Sequence, residues 1–303
     1  MFFFFRFAGF VPQGLPFSTH WSLLLLHLGL SGEHRLCVRP HRFGFRAVTA
    51  VGGQSVHQLR FVLHIDPTMS VTTHDPTQNR LLGALPADEY ALLRPNLQPV
   101  SFSLGEVVYE FAGQLDYVFF PTTSIISLLY TMENGSTAEM GLTGNDGVVG
   151  IALFMGGGTM PNRAVVQSAG GAFKMKAKLL QTEFALGGTF QRLLLRYTQA
   201  LITQISQTAV CNRLHSVEQQ LCRWLLLSHD RLNTNELVMT QELLADMLGV
   251  RREGVTVAAG RLQDDGAISY VRGRIQILDR DKLEATVCEC YRVVRDEVER
   301  LLG

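Results

Sequence analysis

The sequence predicts an α+β chain in three parts: a roll of short β-strands, one long helix, and a helix–turn–helix followed by a two-stranded wing. Three observations lead there. From Val100 onward, β-forming residues come in short runs broken by Gly, Pro and the hairpin dipeptide Asn134–Gly135. Between Phe190 and Val210 an apolar helical pattern runs with no Gly or Pro. After Thr240, two apolar helical patterns hinge on Gly249 and lead into a hairpin.

The elements follow in chain order. Residues 79–94 read as a short helix with Leu81, Leu82, Leu85, Tyr90 and Leu93 apolar and Pro86 opening its second part. Strands are expected around Phe102, Val107–Tyr109, Val118–Phe120, Ile125–Met132, Thr137–Leu142, Ala164–Ser168 and Ala172–Met175. Many short strands with closely spaced turns argue for a barrel or double-sheeted roll. Gly141, Gly144, Gly147 and Gly150 recur at every third position. This run lacks the Gly-Lys-Ser/Thr ending of a phosphate-binding loop, so its glycines read as turn-formers.

On the long helix, Leu194, Tyr197, Leu201, Ile205 and Thr208 form one stripe, and Leu195, Ile202 and Ala209 a second at steps of seven. One stripe can cover the roll and the other pair with a second copy as a short coiled coil; the first is taken as the dimer stripe. Residues 215–231 then read as the opening helix of the last domain. Thr240 is a good N-cap, Glu242 places an acid in the first turn, and Leu243, Leu244, Met247 and Leu248 share a face. The pattern resumes at Val255, Val257, Ala258 and Leu262 behind the cations Arg251 and Arg252, and Ile268–Val271 and Arg274–Leu278 form a hairpin across Gly273. That order is the winged helix-turn-helix plan, whose second helix enters the DNA major groove.

This stretch resembles the DNA-binding domain of the Crp/Fnr superfamily of transcription regulators. Aligned on Gly249, Arg252–Glu253 matches the family's Arg–Glu pair, which implies base-edge contacts from those residues. Where the family often has a further Arg one turn later, this chain has Val257, and Gly254 lies within the helix. The run Leu104–Gly113 likewise resembles a turn region of cyclic-nucleotide-binding β-rolls. The resemblance implies a nucleotide pocket at Gly150, Ile151, Asn162 and Arg163. The phosphate position falls on Asn162, or on Arg163 if the alignment shifts by one, and the ribose position on Ile151. An apolar Ile cannot accept the ribose hydroxyl, so the roll is expected not to bind cyclic AMP in the usual way. In the family the long helix forms the dimer interface.

The resulting expectation is a homodimeric, sequence-specific regulator that reads a palindromic operator in double-stranded DNA. Thr240, Gln241, Arg251, Arg252, Glu253, Thr256, Arg261, Arg272 and Arg274 would carry the DNA contacts. An unidentified small-molecule effector and a contact with RNA polymerase complete the partners. The alternative is a ligand- or protein-binding module whose helix-turn-helix no longer binds DNA, suggested by the helix-weakening Gly254.

Composition narrows this further. Formal net charge is zero over the chain, but residues 69–303 hold 21 Lys+Arg against 25 Asp+Glu, so positive charge must be local, as the five arginines of the winged stretch are. No nucleophile–base pair, metal quartet or phosphate loop stands out, which argues against an enzyme. The five cysteines are odd in number and scattered, unlike a disulfide framework. Cys211 and His215 sit four apart and could share a face, but no tight second pair follows. Cys288 and Cys290 fall two apart in a predicted helix over 282–302 and should point to different sides. They read as packing residues, with no metal or cofactor expected.

No stretch reaches the ~18–20 apolar residues of a membrane span, so the chain reads as cytoplasmic. Residues 1–68, rich in Arg and His and poor in acids, keep neither helical nor strand periodicity. They are expected to be a disordered extension upstream of a natural start at Met69, rather than a signal peptide. The domain boundaries read 69–188 for the roll, 189–211 for the connecting helix and 212–303 for the winged domain.

Overall fold

The structure, a computed structural model, describes residues 75–232 and 234–303. The expectations for 1–68 and for a start at Met69 lie outside the described residues. Two short helices, α1 (Arg80–Gly83) and α2 (Ala87–Leu93), lead into the strands β1 (Gln98–Phe102), β2 (Val107–Tyr109), β3 (Tyr117–Pro121), β4 (Ile125–Thr131) and β5 (Thr137–Thr143). A short helix α3 (Ala152–Met155) precedes β6 (Arg163–Ser168) and β7 (Gly170–Lys176). These strands form two antiparallel sheets, ordered β1-β7-β3 and β2-β6-β4-β5. Phe120 and Met175 from one sheet and Ile126 and Val166 from the other share one core. Helix α4 (Ala177–Ala185), which no sequence signal announced, leads into the long helix α5 (Gly188–Leu214).

The second half comprises α6 (Val217–His229), β8 (Glu236–Val238), α7 (Gln241–Leu248), α8 (Arg252–Asp264), β9 (Ile268–Val271), β10 (Arg274–Ile277), α9 (Arg280–Thr286) and α10 (Glu289–Leu302). The wing is a three-stranded sheet, β8-β10-β9, one strand more than expected. Among the described residues no helix is long and apolar enough to cross a membrane.

The two halves are not joined by α5 alone. Helix α6 is buried continuously from Gln220 to Ser228, and Ile125 of β4 and Leu142 of β5 belong to the same core as Leu221, Trp224 and Leu225. Asp146, in the loop after β5, meets Arg231 just past α6 in an ion pair of 2.6 Å with a second contact of 3.0 Å, both side chains buried. Gln204 of α5 faces the backbone of Leu142 with its amide, accepting from the N–H at 2.8 Å and donating to the C=O at 3.1 Å.

Gly144 and Gly147 close a turn, the Gly147 N–H bonding to the Gly144 carbonyl at 3.1 Å, and the close approach of neighbouring side chains adds a second reason for glycine at both. A Cβ on Gly144 would lie 2.7 Å from that of Arg231, and one on Gly147 would overlap the ring of Tyr197. Neither has a positive φ. These two glycines are places where a helix passes too near for a side chain.

The α5 stripes also sort themselves. Leu194, Tyr197, Leu201 and Thr208 are buried and Ile205 is half-buried, all within their own chain. This corrects their assignment as dimer contacts: roll and C-terminal helix already cover them. The exposed stripe is the second one, with Leu195 46% and Ile202 57% exposed and Ala209 open beside them.

Between roll and α6 runs a polar chain. Ser127 Oγ lies within hydrogen-bond distance of both Glu139 Oε2 and Gln167 Oε1, and Gln167 Nε2 donates to Ser228 Oγ at 3.0 Å. One hydroxyl has one proton, so Ser127 can donate to only one of those two acceptors. The ladder closes if Glu139 is protonated and donates to Ser127, which in turn donates to Gln167. Burial pushes the Glu139 carboxyl up from 4.5 to about 7, outweighing the Ser127 hydrogen bond and the charges of Arg223 and Arg231. The folded protein thus keeps this proton where the unfolded chain has released it, and stability falls as pH rises from about 4.5 to about 7, by roughly 3 kcal/mol. Glu139→Gln should flatten that part of the profile, read as a smaller difference in urea-unfolding free energy between pH 5 and pH 8 than in the parent. An undiminished difference would assign the dependence elsewhere.

Candidate nucleic-acid interface

Local chemistry builds the helix-turn-helix. Thr240 Oγ1 accepts from the Leu243 N–H at 3.2 Å and starts α7. Gly249, at φ 65° and ψ 32°, ends it in the left-handed conformation that glycine adopts without strain. Arg251 takes the N-cap position of α8 with extended backbone, and no side chain caps the helix. The first-turn amides and the helix dipole are therefore presented outward alongside two guanidinium groups. Val255, Ala258, Ala259 and Leu262 bury one face of α8 against α6 and the wing. The opposite face exposes Arg252, Glu253, Thr256 and Val257.

Helix α8 runs unbroken through Gly254, where a Cβ would meet Val217 of α6 at 3.7 Å, an ordinary contact. Thr256 Oγ1 lies 2.9 Å from Gln241 Oε1 and 3.0 Å from the Arg252 carbonyl. The hydroxyl can serve both if the Gln241 amide is turned to donate from its nitrogen. Either way, Thr256 ties the exposed face of α8 to the start of α7.

The remaining arginines divide. Arg272 stands exposed at the wing tip, where Arg272 and Gly273 have φ of 50° and 77°. Positive φ at both central residues is the tight primed turn that fits the twist of a hairpin. Tyr270 braces this wing, its hydroxyl donating to the Met239 carbonyl at 2.7 Å; burial pushes its phenol up to about 12. Arg274 instead pairs with Glu236 across the wing sheet, and Arg261 with Glu218 of α6 at 3.1 Å. Both arginines are exposed, but each has an internal carboxylate to satisfy. The structure thus groups Thr240, Gln241, Arg251, Arg252, Glu253, Thr256 and Arg272 with free or locally bonded side chains, while Arg261 and Arg274 are exposed with surface carboxylate partners.

Two of the expected effector residues, Asn162 and Arg163, are tied to strand β2 and its end, although Arg163 Nε is buried without a hydrogen-bond partner among the described residues. Asn162 is buried, donating from Nδ2 to Tyr109 Oη and to the Arg163 carbonyl, each at 3.1 Å. Burial pushes the Tyr109 phenol up to about 12, so it stays protonated. Arg163 pairs with Glu110 at 3.2 Å. Gly150 is buried with φ 107°, and Ile151 caps α3 while packing on the roll core. Ile151, at the expected ribose position, has an apolar side chain with no acceptor to offer a hydroxyl.

A second cleft, of about 600 Å³, opens between the β4–β5 hairpin, Ile205 of α5 and the Gly249 turn.

One cluster the sequence reading dismissed is assembled by the fold. The ligand atoms of Cys211, His215, Cys288 and Cys290 all lie within 4.8 Å of one another. The expected helix over 282–302 is broken between α9 and α10, and Cys288 is the extended N-cap residue of α10, not a helical one. Residues two apart diverge on a helix, but not across its first boundary. The Val287–Cys288 break was the missed signal.

Residues 219–286 match the family model of the Crp-like helix-turn-helix domain. A search of the curated proteins finds no match to the sequence. Among solved structures the chain is similar to FixK2 from Bradyrhizobium japonicum, with 16% identity and a TM-score of 0.53 over 63% of this chain and 98% of that one. It is also similar to a transcriptional regulator of the Crp/Fnr family from Eubacterium rectale, with 16% identity and a TM-score of 0.52 over 68% and 96% of the two chains. A CRP-family transcriptional regulator from Thermus thermophilus gives 16% identity and a TM-score of 0.52 over 62% and 95%. The described part of the chain therefore shares the fold of these structures, and residues 219–286 form a Crp-like helix-turn-helix domain.

Proposed function

With a Crp-like helix-turn-helix domain on this fold as the premise, we propose that the protein is a DNA-binding transcription regulator that reads its site through α8. The observation that carries the reading is the exposed face of α8. Arg252, Glu253 and Thr256 are presented from an uncapped helix start, buttressed on the opposite side by the domain core and flanked by the arginine of the wing. Arg252 suits a guanine edge, Glu253 a cytosine amine, and Arg251 and Arg272 the phosphates. Arg261 and Arg274 are exposed, and their surface ion pairs are weak enough for a phosphate to displace. The continuity of α8 through Gly254 favours this reading over a module that has lost DNA binding. Replacing Arg252 by Ala should weaken binding to the selected operator by about 1–3 kcal/mol while leaving random-sequence binding nearly unchanged, measured by gel shift at fixed salt. Equal loss on both DNAs would remove the assignment of direct readout.

Dimerisation through α5 is supported by the exposed stripe Leu195, Ile202 and Ala209, spaced as a heptad seam on a helix whose other face is already packed. Two copies would set two recognition helices on a palindrome. The double substitution Leu195→Glu and Ile202→Glu should give a monomer in sedimentation equilibrium with an unchanged circular dichroism spectrum; a persistent dimer would place the interface elsewhere.

The roll serves as a sensor that does not take cyclic nucleotides in the usual way, because Asn162 and Arg163 are held by Tyr109 and Glu110 and Ile151 is apolar. Millimolar cyclic AMP or cyclic GMP should leave the melting temperature unmoved. A rise of several degrees would reverse that conclusion.

A further inference from the structure

Two pairs of potential metal ligands, far apart in sequence, meet where the long helix ends. Cys211 lies in the last turn of α5, and His215 is the residue that ends it, its N–H bonded to the Cys211 carbonyl at 3.0 Å. Cys288 caps α10, and Cys290 lies in its first turn. Cys211 Sγ is 3.5 Å from Cys288 Sγ, and Cys290 Sγ is 3.5 Å from His215 Nδ1. The three thiols are buried.

The two separations of 3.5 Å are those of ligands on one tetrahedral ion. Bonds of about 2.3 Å to sulfur and 2.0 Å to nitrogen give ligand-to-ligand edges of about 3.5–3.8 Å. Every pair of ligand atoms here lies within 4.8 Å. An iron–sulfur cluster attaches its ligands to different irons and spreads them further. Three soft thiolates with one imidazole and no open position is the donor set of a structural zinc site.

Two independent features point the same way. His215 turns Nδ1 to the cysteines, while Nε2 lies 3.4 Å from a carboxylate oxygen of Glu289. A carboxylate on the outer nitrogen fixes the tautomer and orientation a metal-bound imidazole needs. The second is Arg223 of α6, buried, with Nη1 on Thr208 and an Nε that has no hydrogen-bond partner. Three thiolates around a divalent ion leave one net negative charge, and the buried guanidinium supplies the compensating positive one. Gln220 of α6 also donates to the His215 carbonyl at 3.0 Å, holding the chain at this point.

We propose that Cys211, His215, Cys288 and Cys290 bind a single divalent ion of the zinc class, with Glu289 as a positioning residue. The ion fastens the end of α5 to the start of α10. Only His215 and Ser216 separate α5 from α6, so the ion fixes the direction in which the chain enters the DNA-binding half.

The test uses the full chain, reduced and stripped of metal by a chelator, then titrated with Co²⁺. The expected result is one ion per chain, with the intense visible bands of tetrahedral cobalt and thiolate-to-metal charge transfer in the near ultraviolet, all abolished by stoichiometric Zn²⁺. A charge-transfer band that persists in a Cys37→Ser variant separates this site from the cysteine and histidines of residues 1–68. Cys288→Ser and Cys290→Ser should each lose the spectrum or weaken binding at least tenfold. Cys222→Ser, which alters a buried thiol outside the cluster, should leave it unchanged, and Glu289→Gln should keep the spectrum while weakening affinity by roughly 10–100-fold. The proposal is overturned if the parent chain takes up no Co²⁺, shows only the weak bands of octahedral cobalt, binds as well without Cys288 or Cys290, or is isolated with the iron absorption of a cluster. Uptake by the parent chain is decisive even if a cysteine variant fails to fold.

Discussion

The rest of the structure depends on α6 being enclosed. The helix is buried on the roll side by Ile125 and Leu142 and on the other by Leu244, Val255 and Leu262. An apolar interface alone could slide. What fixes its register is a set of buried polar contacts at defined points: Asp146 on Arg231, Gln167 on Ser228, and Gln204 on the backbone of Leu142. A buried ion pair adds little net stability after its desolvation cost, but removing one partner is expensive. The pair therefore acts chiefly to specify one orientation of the recognition module on the roll.

That fixed orientation gives the exposed face of α8 its character. Helix α8 is anchored through Val255, Ala258 and Leu262, so its exposed side is set by the same core that holds α6. Arg261 and Arg274, bound to Glu218 and Glu236, brace the module from its flanks. The β4–β5 hairpin reaches the Gly249 turn, where Ala138 would meet a Cβ at 3.4 Å. Roll and recognition module are thus in contact at a second place, close to the start of α8.

Much of the DNA-binding half was legible in the sequence because its rules are local. An N-cap at Thr240, a left-handed Gly249 and helical spacing of Val255, Ala258 and Leu262 each act within a few residues, and the structure has all three. Features set by distant contacts were not legible. Both stripes of α5 are apolar, and only the packing of roll and C-terminal helix decides that Leu194 and Leu201 face inward and Ile202 outward. The glycines at 144 and 147 were legible as turn-formers, but the crowding by Arg231 and Tyr197 that also excludes a side chain there was not. The Cys–His group needed two helix ends to be located to within one residue, the least certain part of any pattern reading. Arg163 and Asn162 were singled out by resemblance, and their ties to Glu110 and Tyr109 follow from strand pairing, with β2 lying against β6.

The wing tip has one further consequence. Arg272 sits at φ 50°, a conformation costing a non-glycine residue roughly 1–2 kcal/mol, and among the described residues its guanidinium has no ion-pair partner. Glycine or asparagine would relax the turn at no loss of internal contact. Judged by the folding free energy of the isolated chain, arginine is a poor choice at this position. The wing thus holds a cation out from its tip at a cost in folding free energy that no ion pair among the described residues offsets.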